Sequence, residues 1–108
     1  MATPRPRVRV PKSAKKGDIV EIKTLISHAM ETGRRKGKDG KLIPRKIINK
    51  FTATLDGELI FQADLQPAIS ANPYISFPLK AEKSGTIAFE WHEDGGAVYK
   101  KSAKIEVA

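Results

Sequence analysis

What most constrains this chain is a hydrophobic pattern with a period of two. In the stretch DGELIFQADL, Leu59, Phe61, Ala63 and Leu65 share one parity while Glu58, Gln62 and Asp64 take the other. That is the signature of a strand with one face in a core and one in water. Asp56-Gly57 lies just before it, a dipeptide suited to hairpin turns, and KFTATL before that offers Phe51, Ala53 and Leu55 as the facing inner set. Residues 46–65 are therefore expected to form a β-hairpin.

The same alternation recurs along the chain. YISFPLK runs through Ile75, Phe77 and Leu79, and TIAFEWHE through Ile87, Phe89 and Trp91, with a turn at Ser84-Gly85 between them. In AVYKKSAKIEV, Ala97, Tyr99, Ala103, Ile105 and Val107 share a parity that Lys101 interrupts. Either a bulge near Lys101 or exposure at a sheet edge accommodates it. At the front, RPRVRV and DIVEIKTLISH add two strands, and Pro6 and Pro11 restrict the first to an edge, because proline cannot donate to a ladder. Seven short strands with no helical stripe predict an all-β fold, an immunoglobulin-like antiparallel two-sheet β-sandwich. At 108 residues the chain is expected to be a single domain, 1–108, with one core. It has no cysteine, so packing alone must join the sheets, and no thiol chemistry is available to it.

Charge is spread unevenly. The net charge is +8, yet residues 1–50 carry +11 and residues 51–108 carry −3, which points to one electropositive region and an acidic partner or anionic surface to meet it. Between Arg34 and Lys50 there are eight basic residues and one acid, Asp39, punctuated by Gly37 and Gly40. Two connections are longer than turns, 29–44 and 66–74, and long loops in compact domains commonly carry function. The N-terminal stretch is basic without the apolar run of a secretory signal, so any export is expected to depend on a partner.

Catalytic and metal chemistry find little to work with. His28, His92 and Met30 are the candidate ligands, too few for a site built from three or four protein ligands, and each histidine falls at a strand end where a solvated imidazole is ordinary. The acids lie at turns and outward positions, with Glu93-Asp94 read as part of a hairpin tip beside Gly95-Gly96. No hydrolase, zinc-protease or phosphate-loop pattern occurs. Nucleic acid is a more serious alternative, since a basic β-domain that binds single strands would use such charge. Single-strand binders interleave cations with stacking aromatics, however, and residues 29–50 contain none. Phe51, Phe61, Phe77, Phe89, Trp91 and Tyr99 all fall on inward parities. In ISANPY, Ile69 and Tyr74 either pin the loop to the sandwich or, with Pro73, form the apolar centre of an interface.

Four segments carry a family resemblance. LISHAMETGRRK (25–36), GKLIPRKIINKF (40–51), QPAISANPY (66–74) and WHEDGGAVY (91–99) together resemble the SoxZ family of the bacterial thiosulfate-oxidising Sox system, in matching order across nearly the whole chain. The family pattern often has proline after the histidine, where this chain has Ala29.

The resemblance implies a non-catalytic companion to SoxY, a subunit whose flexible Gly-Gly-Cys-Gly-Gly arm carries sulfur intermediates covalently. It also implies transient encounters with SoxXA, SoxB and SoxCD, a periplasmic location reached by export together with SoxY, self-association when the partner is absent, and no cofactor. It assigns no catalytic residues. The expected partner-binding residues are His28, Met30, Glu31, Thr32, Gly33, Arg34 and Arg35 for surface recognition, and Asn72, Pro73 and Tyr74 for contact with the carrier. Gly33 is expected to allow a sharp turn. The surrounding cations are expected to steer acidic partners.

Overall fold

The computed structural model describes residues 4–65 and 71–108, and every regular element among them is a strand. In chain order these are β1 (Pro6–Arg9), β2 (Ser13–Ala14), β3 (Ile19–Ile26), β4 (Ile48–Leu55), β5 (Glu58–Asp64), β6 (Tyr74–Lys80), β7 (Gly85–Glu93) and β8 (Val98–Val107). They form a sheet of order β1-β3-β6 and a second of order β2-β8-β7-β4-β5. All pairings are antiparallel except the two-residue β2, which lies parallel to the end of β8.

The alternating residues meet between the sheets. Ile22, Ile26 and Phe77 of the smaller sheet pack on Phe51, Ala53, Ile87, Phe89 and Trp91 of the larger. Aromatic rings form the centre of this contact. Phe51 lies 5.2 Å from Trp91 and 6.4 Å from Phe77, and Phe61 stacks on Phe77 at 4.4 Å. Such contacts are worth about 0.5–1.5 kcal/mol per pair beyond the area they bury. The Phe51–Phe77 and Phe61–Phe77 contacts cross between the sheets and help hold them together without a disulfide.

The seven expected strands are present, and the 46–65 hairpin turns at Asp56-Gly57, with Asp56 and Gly57 both at positive φ. Three details differ. Leu59 is 55% exposed instead of inward, because the β4–β5 register shifts between Ala53 and Thr54. The extra residue reverses parity on one side of the bulge, so Ile60 is half-buried in its place. At Lys101 there is no bulge; pairing runs unbroken from Gly85↔Ile105 to His92↔Val98, and the lysine is exposed along a strand that β2 covers only at Glu106 and Val107. Ala97 is exposed ahead of β8 and is not an inward residue of it. Each outer strand of the smaller sheet contains a proline, Pro6 in β1 and Pro78 in β6.

Candidate functional site

At one end of the sandwich β3 leaves the core, β4 and β6 enter it and β7 stops. The strand parity that buries Ile87, Phe89 and Trp91 continues to Glu93, so a carboxylate that is 4% exposed lies at the end of an apolar row. A buried carboxylate needs partners. Glu93 Oε2 is 2.7 Å from His28 Nε2 and accepts a hydrogen bond from the Tyr99 hydroxyl at 3.0 Å, while Lys46 Nζ lies 3.6 Å from Oε1. Burial pushes the Glu93 carboxyl up, but the His28 and Tyr99 hydrogen bonds and the Lys46 charge outweigh it and hold the group below its usual range. Burial and the neighbouring Glu93 raise the Tyr99 phenol above its ordinary value.

His28 is thereby fixed at both nitrogens. The Met30 N–H donates to Nδ1 at 2.9 Å, so in the neutral ring the proton sits on Nε2 and points at Glu93. The backbone of His28 is held as well. Its N–H donates to Asn72 Oδ1 at 2.9 Å, and its carbonyl accepts from the Asn72 N–H at 2.8 Å. Met30 and Asn72 both adopt left-handed backbone, with φ of 53° and 54°. Asparagine tolerates that conformation readily; methionine does so less often, and here its sulfur is buried and accepts a hydrogen bond from the Ile48 N–H at 3.3 Å.

From this base the basic loop runs out as a paired arm. Glu31 and Lys46 exchange both backbone hydrogen bonds, at 2.9 and 2.7 Å, and a second bridge joins Lys36 to Leu42. Gly33 lies at a bend with φ of 86° and passes so close to Arg45 that an added Cβ would lie 3.2 Å from the Arg45 Cβ, two reasons the position suits glycine. Asp94 fastens the other side. It accepts two hydrogen bonds from the Arg45 guanidinium at 2.8 and 3.0 Å, one from Asn49 Nδ2 at 3.0 Å and one from the Ile47 N–H at 3.2 Å. The Arg45 fork is the main reason its carboxyl lies far below the ordinary range, with burial opposing and the other two donors assisting. Arg35 forks Glu31 in the same way and lowers its carboxyl, again against burial.

These positions revise the expected surface. His28, Met30, Glu31 and Pro73 are buried, Thr32 and Gly33 half-buried, and Arg34, Arg35, Asn72 and Tyr74 exposed. The imidazole of His28 is thus an interior group and not a solvated one, and Glu93 is an interior carboxylate and not part of an exposed tip. Met30, His28 and Pro73 set the shape of the loops from beneath. Ile69 lies outside the described residues. Glu93, Tyr99, Asp94, Arg45, Lys46 and Asn49 were not anticipated as site residues. The signal for Glu93 and Tyr99 was their inward parity, which for an acid implies a buried partner.

His28 and His92 do not share a site. Alternation along β7 places His92 on the face opposite Glu93, where it contacts Glu90 at 3.6 Å. Among the described residues no three His, Cys, Asp or Glu side chains cluster as a metal site would need. The aromatics of the strands line the core, with Tyr74 alone among the described aromatics strongly exposed, so no sheet face offers a stacking platform for single strands.

A family model described as sulphur oxidation protein SoxZ matches residues 8–104. No curated protein matches by sequence. Among solved structures, a superoxide reductase (neelaredoxin) from Ignicoccus hospitalis is similar with a TM-score of 0.76 and 16% identity, covering 95% of this chain and 80% of that one. A putative superoxide reductase from Thermotoga maritima gives 0.74 and 18%, covering 95% and 85%. The sulfur carrier protein SoxY from Chlorobium limicola f thiosulfatophilum gives 0.68 and 13%, covering 95% and 78%. At these identities the likeness is one of fold.

Proposed function

The chain belongs to the SoxZ family of sulphur oxidation proteins, and from that premise we propose that it is the cysteine-free companion of a SoxY-type sulfur carrier in thiosulfate oxidation. The observation that carries this reading is convergence. All four segments of the family resemblance meet at one end of the sandwich, through His28, Lys46, Asn72 and the Glu93–Tyr99 pair. Besides satisfying a buried carboxylate, such wiring holds the loops these segments carry in one shape. A preformed loop surface loses little freedom on docking, which favours a subunit that presents itself to other proteins.

In this reading the chain does no covalent chemistry. Sulfur transfer needs a thiolate, and the chain has no cysteine, so the reactive group belongs to the carrier. The heterodimer works in the periplasm, reached by export together with the carrier, and meets SoxXA, SoxB and SoxCD in turn. Arg34, Lys36, Lys38 and Lys41 are left without carboxylate partners on the arm, among the described residues, and supply attraction for acidic rims on those enzymes. That SoxY has the same fold supports a pair of like sandwiches.

Co-expression with a carrier bearing the cysteine arm, followed by purification and native mass measurement, tests the reading. A stable one-to-one pair is the expected result. A chain that purifies alone while the carrier is folded and abundant overturns it.

A further inference from the structure

The outer face of the smaller sheet holds a second cationic surface, on elements separate from the arm. In β1 and the residue before it, Arg5, Arg7 and Arg9 share the outward parity, all exposed, while Pro6, Val8 and Val10 take the other. Cross-strand register sets Arg7 beside Leu25 and Leu25 beside Tyr74, and in the next row Arg9 beside Lys23 and Lys23 beside Ser76. A shallow open groove runs between these side chains, lined by Arg7, Arg9, Lys23, Leu25 and Tyr74.

Two features of the groove point to an occupant. Arg9 and Lys23 are like charges directly opposite each other, an arrangement that destabilises a sheet. Neither they nor Arg5 and Arg7 form an ion pair among the described residues, and the undescribed residues contain no acid. The nearest acid by register on that face, Glu21, is one row beyond Lys23 and is likewise unpaired. Beside the cations, Tyr74 is 57% exposed and Leu25 half-buried, which adds an apolar patch. Tyrosine and arginine are, with tryptophan, the residues enriched at the hot spots of protein interfaces.

We propose that this groove receives an extended acidic segment of a partner protein, with carboxylates at alternate positions over Arg5, Arg7, Arg9 and Lys23 and an apolar side chain on Leu25 and Tyr74. Spacing decides against smaller ligands. Outward residues two apart on a strand are separated by about 7 Å, which matches alternate side chains of another extended chain and exceeds the reach of a single small anion. A single exposed tyrosine is no stacking series for nucleic acid.

The test is an NMR titration of the full chain with a blocked peptide carrying three glutamates at alternate positions and a leucine next to the central one, to match Leu25 and Tyr74 beside Arg7. Shifts are expected at Arg7, Arg9, Lys23, Leu25 and Tyr74, with affinity at least tenfold weaker in the doubly substituted Arg7→Gln, Arg9→Gln protein. Both positions are exposed, and circular dichroism checks that the variant is folded. Equal binding of the glutamine version of the peptide overturns the assignment. So do shifts confined to Lys36–Lys41, the same response to sulfate alone, or tighter binding of a thymidine oligonucleotide at the same residues. The titration uses this chain by itself, so its failure is distinct from a failure to pair with the carrier.

Discussion

At the base of the arm Arg35, Arg45 and Lys46 each face a carboxylate, whereas at its tip Lys36, Lys38 and Lys41 face water. The two regions share one loop and one kind of residue. At the base the charges are structural: burial of Glu31, Asp94 and Glu93 is tolerated because cations and hydrogen-bond donors answer them. At the tip the same side chains have no folded-state partner and are free to act on something else. A count of basic residues merges these groups, and the pairing separates them.

The comparison breaks first at Glu93. Glu93→Ala leaves His28, Tyr99 and Lys46 facing an empty acceptor position, and leaving buried donors unsatisfied costs on the order of 3 kcal/mol. Urea unfolding should show that loss. If the variant is as stable as the parent, the base is not the structural half.

Acid should act on the same place with a smaller effect. Glu93 is held below its ordinary value of 4.5, as is Glu31, and Asp94 below 3.8. The folded state therefore favours the ionised forms, and in the window between folded and unfolded values the unfolded chain binds more protons. The stabilisation is complete above about pH 4.5 and is lost as pH falls through the lower folded values. Urea midpoints measured from pH 7 to 3 should decline, and Glu93→Gln should flatten part of that decline.

Asn72 offers a finer cut. Asn72→Ala removes the hydrogen bond to His28 and places a non-glycine methyl side chain in left-handed backbone, a loss of about 2 kcal/mol. Asn72→Gly loses the same bond without the strain and should fall less, by about 1 kcal/mol. Thermal melts of the two variants separate the contributions.

The tip should give the smallest change in stability and a clear change in encounter. Lys36→Ala, Lys38→Ala and Lys41→Ala together are expected to alter stability by no more than about 0.5 kcal/mol per site. Association rates with sulfur-oxidising partners should nevertheless fall, most at low salt. Rates unchanged across ionic strength would remove the tip from recognition.

Much of the fold was legible because a strand repeats its message every second residue. Phe51, Phe77, Phe89 and Trp91 each announced an inward face, and Asp56-Gly57 announced the turn. Leu59 was misread because one bulge reverses parity without leaving a mark in composition, and β2 was missed because two residues carry no period. At the site the sequence located the right segments and missed how they join. His28 and Glu93 are 65 residues apart, and nothing local to either says that they meet. The inward parity of Glu93 was visible, but its partner could only come from the packing of strands from both sheets.

The two prolines at the rims of the smaller sheet also bear on how this protein behaves in a crowded solution. An edge strand with open backbone groups is a template on which a neighbouring copy can add a strand, the first step toward fibrous aggregates. Pro6 and Pro78 interrupt the row of donors on both rims, and proline is tolerated in a sheet because at an edge its nitrogen side faces outward. Growth by adding strands to that sheet is therefore hindered at each rim. For that sheet, contact through its face is the geometry left open, and a face is covered once one partner sits on it.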